Sequence, residues 1–165
     1  MYANIFVFLI SCAVCAPCGL AQGNEPKQYH DVILKDLDGV RNRLKDTVDS
    51  SRVTVLTFWA SYCEPCLKEL IELNRLSGDL RDKGLSVVAI NIDAWKDVIK
   101  ARRYLQVHSI HVTVLYDELS IARMSYGVSA IPRLFVIGKD GVIRSEHSGF
   151  RDIREIEKEL HEYLH

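Results

Sequence analysis

Two cysteines separated by two residues are the most reactive feature of the sequence. Cys63 and Cys66 lie in the stretch TFWASYCEPCL, residues 57–67, where an apolar run typical of a strand gives way to a helical pattern. A pair at this spacing suits thiol-disulfide exchange, metal ligation or a structural disulfide. The rest of the chain decides among these three uses.

The distribution of cysteines argues against a structural disulfide. Residues 22–165 hold only Cys63 and Cys66. The three other cysteines all lie in the apolar N-terminal segment: Cys12, Cys15 and Cys18. An exported domain that depends on disulfides would spread several of them over its loops. A bridge that closes so short a loop also removes little entropy from the unfolded chain.

The histidines argue against a zinc site at the cysteine pair. A structural zinc ion needs four ligands, and the most closely spaced histidine pair of the chain is His108 and His111. We expect these two histidines at the surface or at the entry to a strand. A redox-active dithiol, without metal and without bound cofactor, is therefore predicted for Cys63 and Cys66.

The first 21 residues have the composition of an export segment. They contain no charged residue, and the apolar run IFVFLI precedes the small residues Gly19 and Ala21. Small residues at these two positions favour cleavage by signal peptidase after Ala21. We interpret residues 1–21 as a signal peptide or anchor, 22–30 as a linker and 31–165 as the folded domain.

Two forms of membrane attachment are alternatives to cleavage after Ala21. The stretch LISC ends at Cys12 and resembles a bacterial lipobox, in which that cysteine is lipidated. The uncharged segment is also long enough to remain as a helical anchor. In each case we expect the domain to be exported to the bacterial periplasm or cell envelope, free or tethered at its N-terminus.

Composition and charge limit the choice of partners. The chain has 165 residues, 48% of them hydrophobic, which suits one globular domain. Lys and Arg number 21 against 22 for Asp and Glu, so the net charge of −1 offers no general attraction to nucleic acid.

Hydrophobic periodicity predicts an α/β fold in which helices flank a central mixed sheet. The sequence begins with a hairpin at 33–40 and then alternates strands and helices. Strands are predicted at 52–59, 85–92, 111–116, 134–137 and from 142, and helices at 66–83, 95–105, 117–126 and from 152. Gly84 is expected to end the first long helix, and Asp117 to cap the short one.

Three stretches together resemble the thioredoxin-like superfamily, and within it the exported thiol-disulfide oxidoreductases of TlpA/ResA type. The first is FWASYCEPC at 58–66, with an aromatic pair before C-x-P-C. The second is YGVSAIPRLFVI at 126–137, and the third is the βα unit that ends in VLYD at 114–117. The resemblance runs from about Asp31 to the C-terminus. It implies a thioredoxin-like fold with an N-terminal hairpin and a βα insertion.

The order of strand, dithiol and helix assigns different roles to the two cysteines. Cys63 is expected at the helix N-terminus, where free amides and the helix dipole favour a thiolate, so it is the predicted nucleophile. Cys66 lies within the first turn and is the predicted resolving thiol. The resemblance implies that Pro132 is cis and faces the dithiol, and that the backbone of Ile131 pairs with the substrate.

Proton transfer is where the sequence departs from plain thioredoxins. Those proteins carry a buried aspartate at the position of Thr57, which cannot act as a base near neutral pH. Glu69 lies three residues after Cys66, hence on the same helical face, and matches a glutamate of ResA-type proteins. We assign Glu69 as the proton acceptor for Cys66. Glu64, between the cysteines, opposes thiolate formation and favours a reductant.

Aromatic residues are the predicted docking surface around the dithiol. Trp59 and Tyr62 flank it, and they are interpreted as an apolar contact for substrate, with core packing as the alternative for Trp59. Trp95 is expected to lie in the core on the face of a helix.

The predicted function is reduction of protein disulfides in the cell envelope. The resemblance implies electrons from a membrane thiol carrier of CcdA/DsbD type and substrates such as apocytochromes c. One alternative is a peroxiredoxin, although the threonine that peroxiredoxins usually carry three residues before the reactive cysteine is replaced by Ala60 here. The other is a non-catalytic module that binds Cu(I) between two thiolates.

Overall fold

The computed structural model describes residues 26–164, in which seven strands form one mixed sheet flanked by helices. The strands are β1 Ile33–Asp36, β2 Arg41–Arg43, β3 Val53–Trp59, β4 Leu85–Asn91, β5 Thr113–Tyr116, β6 Arg133–Gly138 and β7 Ile143–Ser148. The helices are α1 Leu44–Ser50, α2 Glu64–Leu80, α3 Val98–Val107, α4 Ile121–Ser125 and α5 Ile153–Leu164. The predicted export segment, with its three cysteines, lies outside the described residues.

Strand β3 occupies the interior of the sheet, whose order is β2-β1-β5-β4-β3-β6-β7. It pairs in parallel with β4 and antiparallel with β6, and β4 pairs in parallel with β5. All seven residues of β3 are buried, as expected for a continuous apolar strand in a parallel sheet. The predicted mixed sheet and the hairpin of β1 and β2 are confirmed.

Two apolar cores lie on opposite faces of the sheet because successive strand residues point to opposite sides. Val55 packs with residues of α2 and α5 in one core, whereas Leu56 packs with residues of α1 and α4 in the other. Both cysteines belong to the first core. The dithiol therefore sits at the end of the most buried strand, against a well-packed helix.

Helix α2 begins at Glu64, two residues earlier than predicted, and its end is close to the prediction. A short 3₁₀ turn, Arg81–Lys83, follows it, and Gly84 closes the turn with φ of +96°. A Cβ atom at Gly84 would lie 2.8 Å from Cγ of Arg52. Both the backbone conformation and the close contact favour glycine there.

Two features differ from the sequence-based expectations. Helix α1 was not predicted, because it has only seven residues and buries only Leu44 and Val48, too few to set a clear period. The prediction for Trp95 was wrong. It begins a short 3₁₀ helix, Trp95–Asp97, and is 79% exposed rather than part of the core.

Contacts with the sheet begin inside the segment predicted as a linker. Gln28 forms an antiparallel bridge with Val142, and the amide of Tyr29 donates to the carbonyl of Gly141 at 2.9 Å. These residues lie beside the turn between β6 and β7. Among the described residues, none of the helices combines the length and apolar character needed to cross a bilayer.

Candidate active site

The dithiol lies where β3 ends and α2 begins. Cys63 and Cys66 form a disulfide, with their Cα atoms 5.2 Å apart. Cys63 is the N-cap of α2, and its Sγ accepts a hydrogen bond from the backbone amide of Cys66 at 3.3 Å. Pro65 fits the first turn because its missing N–H has no partner to lose there.

The two sulfur atoms have unequal surroundings. Cys63 is 8% exposed and Cys66 is 1% exposed. In the reduced protein, the Cys66 amide and the positive end of the helix dipole would both stabilise a thiolate on Cys63. Cys63 is thus the sulfur that an external disulfide can reach, and Cys66 the one that attacks from inside.

Glu69 is a buried carboxyl group on the same helix as the dithiol. It is 3% exposed, and its Oε1 accepts a hydrogen bond of 3.0 Å from the hydroxyl of Thr57 on β3. Its spacing of three residues places it on the same helical face as Cys66. The structure thus places two buried groups, an acid and a thiol, one turn apart.

Burial raises the pKa of Glu69 to about 7, because a desolvated carboxylate is disfavoured. The hydrogen bond from Thr57 acts in the opposite direction, since it stabilises the ionised form. A carboxyl group with this pKa can take up and release a proton near neutral pH.

A surface pocket of about 300 Å³ gives Glu69 a connection to solvent. Its lining combines part of α2 with the segment that leads into α5. The lining residues are Glu69, Glu72, Phe150, Arg151, Asp152, Ile153 and Arg154. A proton on Glu69 can therefore exchange with water on the side of the helix where the pocket opens.

Glu64 stays charged beside the dithiol. It is an exposed side chain that pairs with Lys68 at 2.8 Å, and this hydrogen bond lowers its pKa. Its position next to Cys63 in sequence places a negative charge near a forming thiolate, although Lys68 and solvent weaken the effect.

Asp93 is a site residue that the sequence did not reveal. Its carboxylate accepts hydrogen bonds from the amide of Ser61, at 3.0 and 3.1 Å, and from the hydroxyl of Ser61 at 3.0 Å. Asn91 donates a further bond at 2.8 Å. Asp93 is 3% exposed and holds the turn that precedes Cys63. The available signal was a polar residue just past the carboxyl end of a parallel strand.

The Ile131–Pro132 peptide bond is cis, as predicted. The carbonyl of Pro132 accepts a bond from the amide of Gly149 at 2.9 Å. Within the described residues, neither the amide nor the carbonyl of Ile131 makes a hydrogen bond. Ile131 is half-buried and contacts both apolar cores. Its backbone thus retains the capacity to pair with another chain.

Trp59 and Tyr62 have different environments. Trp59 is 1% exposed, and its ring centroid lies 6.3 Å from that of Tyr104, so it packs in the core and offers no docking surface. Its indole N–H has no hydrogen-bond partner among the residues described. Tyr62, by contrast, is 72% exposed. Of the two aromatic residues predicted to contact substrate, only Tyr62 is at the surface.

The described residues contain no group of three His, Cys, Asp or Glu side chains arranged to hold a metal ion. His108 and His111 are exposed, as expected from the sequence, and His108 stacks on Tyr104 with ring centroids 4.3 Å apart.

A dithiol at the N-terminus of a helix, directly after an interior strand of a mixed sheet, together with a cis-proline loop, defines a thioredoxin-like thiol-disulfide oxidoreductase. Residues 26–146 match the AhpC/TSA family, and the chain belongs to this family.

Individual relatives agree with this class. The thioredoxin-like protein YneN of Bacillus subtilis (strain 168) is 31% identical over 137 residues, which cover 82% of this chain and 78% of that protein. The thiol-disulfide oxidoreductase ResA of Bacillus thuringiensis subsp. konkukian (strain 97-27) is 28% identical over 138 residues, which cover 84% of this chain and 75% of that protein.

A solved structure supports the same fold. The crystal structure of a protein described as thiol:disulfide interchange protein DsbE, from Chlorobium tepidum, matches with a TM-score of 0.76 and 29% identity. The match covers 85% of this chain and 97% of the other. The thioredoxin-like fold predicted from the sequence is confirmed, and the protein is a thiol-disulfide oxidoreductase.

Proposed function

We propose that the protein reduces disulfides of other proteins in the cell envelope. The observation that carries this proposal is the hydrogen bond from the Cys66 amide to Sγ of Cys63, the more exposed of the two sulfur atoms. That arrangement favours a nucleophilic thiolate on the accessible cysteine and leaves the buried one to resolve.

The first step is attack by the Cys63 thiolate on a substrate disulfide. A mixed disulfide forms between Cys63 and one substrate sulfur, and the other substrate sulfur leaves as a thiolate. The unpaired backbone of Ile131 supports this step, because it can hydrogen-bond an extended substrate strand beside the dithiol.

The second step is resolution by Cys66. Its buried thiol must lose a proton before it attacks Sγ of Cys63, and burial disfavours the charged thiolate. Glu69 accepts this proton and passes it to water through the adjoining pocket. The second substrate sulfur leaves as a thiolate, which takes a proton from water, and the disulfide seen in the structure is formed.

The oxidised protein needs a reductant for another cycle. We propose a membrane thiol carrier of CcdA/DsbD type as the electron source and disulfide-bearing proteins such as apocytochromes c as substrates. The names of the relatives support thiol-disulfide exchange, and the uncharged N-terminal segment supports export.

Single cysteine variants test the assignment of roles. We expect Cys63→Ser to lose insulin reduction and to form no adduct, and Cys66→Ser to accumulate a mixed disulfide visible by mass. Catalytic turnover by Cys66→Ser, or trapping by Cys63→Ser, would contradict the proposal. Peroxide consumption by the same variants addresses the peroxiredoxin alternative.

The N-terminus of the native protein tests export. Mass spectrometry should find a mature chain that begins near Gln22, or a lipidated Cys12, in the envelope fraction. An intact Met1 in the cytoplasmic fraction would overturn the proposed location without affecting the chemistry of the dithiol.

A further inference from the structure

Three loops lie side by side at the edge of the sheet that carries the dithiol. They follow the carboxyl ends of the parallel strands β3, β4 and β5, where Trp59 pairs with Asn91 and Asn91 with Tyr116. The amide of Ile92 donates to the carbonyl of Trp59 at 2.9 Å, and that of Asp117 to the carbonyl of Asn91 at 3.0 Å. The three loops are thus held in fixed order.

Each of these loops exposes one large apolar side chain. Tyr62 is 72% exposed, Trp95 is 79% exposed and Leu119 is 74% exposed. We call these three residues the apolar rim. Exposed side chains of this size are costly in water, so three of them on neighbouring loops beside a reactive group point to a binding surface.

The rim is fastened to the reactive turn. Asp93, two residues before Trp95, binds both the amide and the hydroxyl of Ser61, the neighbour of Tyr62. Adjacent strands lie about 4.8 Å apart, so the loops after β3 and β5 are separated by about 10 Å. An extended peptide of about three residues spans this distance.

We propose that the apolar rim binds an extended polypeptide segment with apolar side chains next to its disulfide-bonded cysteine, and that Trp95 is its main contact. This inference rests on the proposed function. A substrate sulfur must reach Sγ of Cys63, so the residues flanking that sulfur are brought against the loops beside the dithiol. Aromatic side chains supply large contact area at small entropic cost, which favours Trp95 over Leu119.

The test compares two disulfide-bonded peptides of equal length and zero net charge. One carries Leu and Phe next to its cysteine, and the other carries Ser and Gln there. For the reduced wild-type protein we expect kcat/KM for the apolar peptide to exceed that for the polar one by roughly tenfold, mainly through KM. Trp95→Ala should bring this ratio close to one.

Val107→Ala is the matched control. Val107 is 68% exposed at the end of α3, near the opposite edge of the sheet, so its truncation should preserve the wild-type ratio. An unchanged ratio in Trp95→Ala would overturn the inference. So would a dimer, seen by sedimentation, that Trp95→Ala dissociates, because the rim would then bind a second copy of the chain.

A binding measurement separates this inference from the proposed function. The apolar peptide with Ser in place of both cysteines should protect Trp95 from acrylamide quenching, since the only other tryptophan is the buried Trp59. Absence of protection would overturn the inference that the apolar rim binds the peptide. Failure of the reduced wild type to cleave a small aromatic disulfide would count against the proposed function instead.

Discussion

The hydroxyl of Thr57 donates a hydrogen bond of 3.0 Å to Oε1 of Glu69, joining β3 to α2 where both side chains are buried. Plain thioredoxins carry their buried acid on the strand, at the position of Thr57. Here the helix supplies the acid, and the strand supplies a hydrogen-bond donor that stabilises the ionised carboxylate. The buried carboxyl group thus still lies between the sheet and the helix, although the residue that carries it is on α2 and not on β3.

Glu69→Gln should slow resolution by roughly ten- to a hundredfold near neutral pH while leaving the initial attack by Cys63 almost unchanged. The substitution keeps the shape of the side chain but removes the proton acceptor. Stopped-flow fluorescence during the reaction of reduced protein with a disulfide measures both steps. A higher pH should restore much of the lost rate, because hydroxide can then deprotonate Cys66.

Glu72→Gln is the control for this experiment. Glu72 lines the same pocket one turn further along α2, but it is only partly buried and pairs with Arg75. Its substitution should leave both steps unchanged. Equal resolution rates in Glu69→Gln and the wild type would assign proton acceptance to water.

Thr57→Val should raise the pKa of Glu69 above its value of about 7, because the lost hydrogen bond stabilised the ionised carboxylate. The pH at which resolution reaches half its maximum rate should move upward by up to about one unit. Thr54→Val is the control, since Thr54 is equally buried on β3 but bonds to Ser51. A shift of similar size in both variants would contradict this account.

The stability of the oxidised protein should fall as the pH rises from about 4.5 through 7. The pKa of Glu69 is raised on folding, so the native state binds more protons than the unfolded state in this window, and ionisation favours unfolding. This group should remove about 3 kcal/mol between pH 4 and pH 8. Urea titrations of wild type and Glu69→Gln should therefore diverge with pH; parallel curves would disprove the assignment.

Asp93→Asn should lower the free energy of unfolding by about 2 kcal/mol, because it weakens several charge-assisted hydrogen bonds in a buried position. Ser61→Ala should cost about 1 kcal/mol or less, since the bond from the Ser61 amide remains. Hydrogen exchange at the Ser61 amide reports directly on its hydrogen bond to Asp93. Faster exchange in Asp93→Asn than in Ser61→Ala is the expected result, and the reverse order would refute it.

Much of the fold could be predicted because its central elements have simple patterns. The strands β3 and β4 are continuous apolar runs, and α2 has a clear period and a glycine at its end. Helix α1 and the exposure of Trp95 could not be predicted. A helix of two turns gives too little periodicity, and sequence hydrophobicity does not say which aromatic residue the fold leaves uncovered.

The candidate site was predictable to the extent that it is local in sequence. Cys63, Cys66 and Glu69 share one helix, and their relationship follows from helical spacing. The bond between Thr57 and Glu69 and the clamp of Asp93 on Ser61 depend on how helix and strands pack, which spacing along the chain does not encode.

The contact of residues 27–29 with the turn between β6 and β7 has a consequence for orientation. That turn lies near Gly138, which pairs with Val53 at the start of β3, whereas the dithiol follows the end of the same strand. The two points are about 20 Å apart, from the rise of a seven-residue strand. In a domain tethered to a bilayer through its N-terminus, the point of attachment would lie near the strand ends opposite the dithiol. Such a domain would present its sulfur atoms away from the bilayer, toward soluble proteins. It would need to rotate to bring them to an electron donor within the membrane.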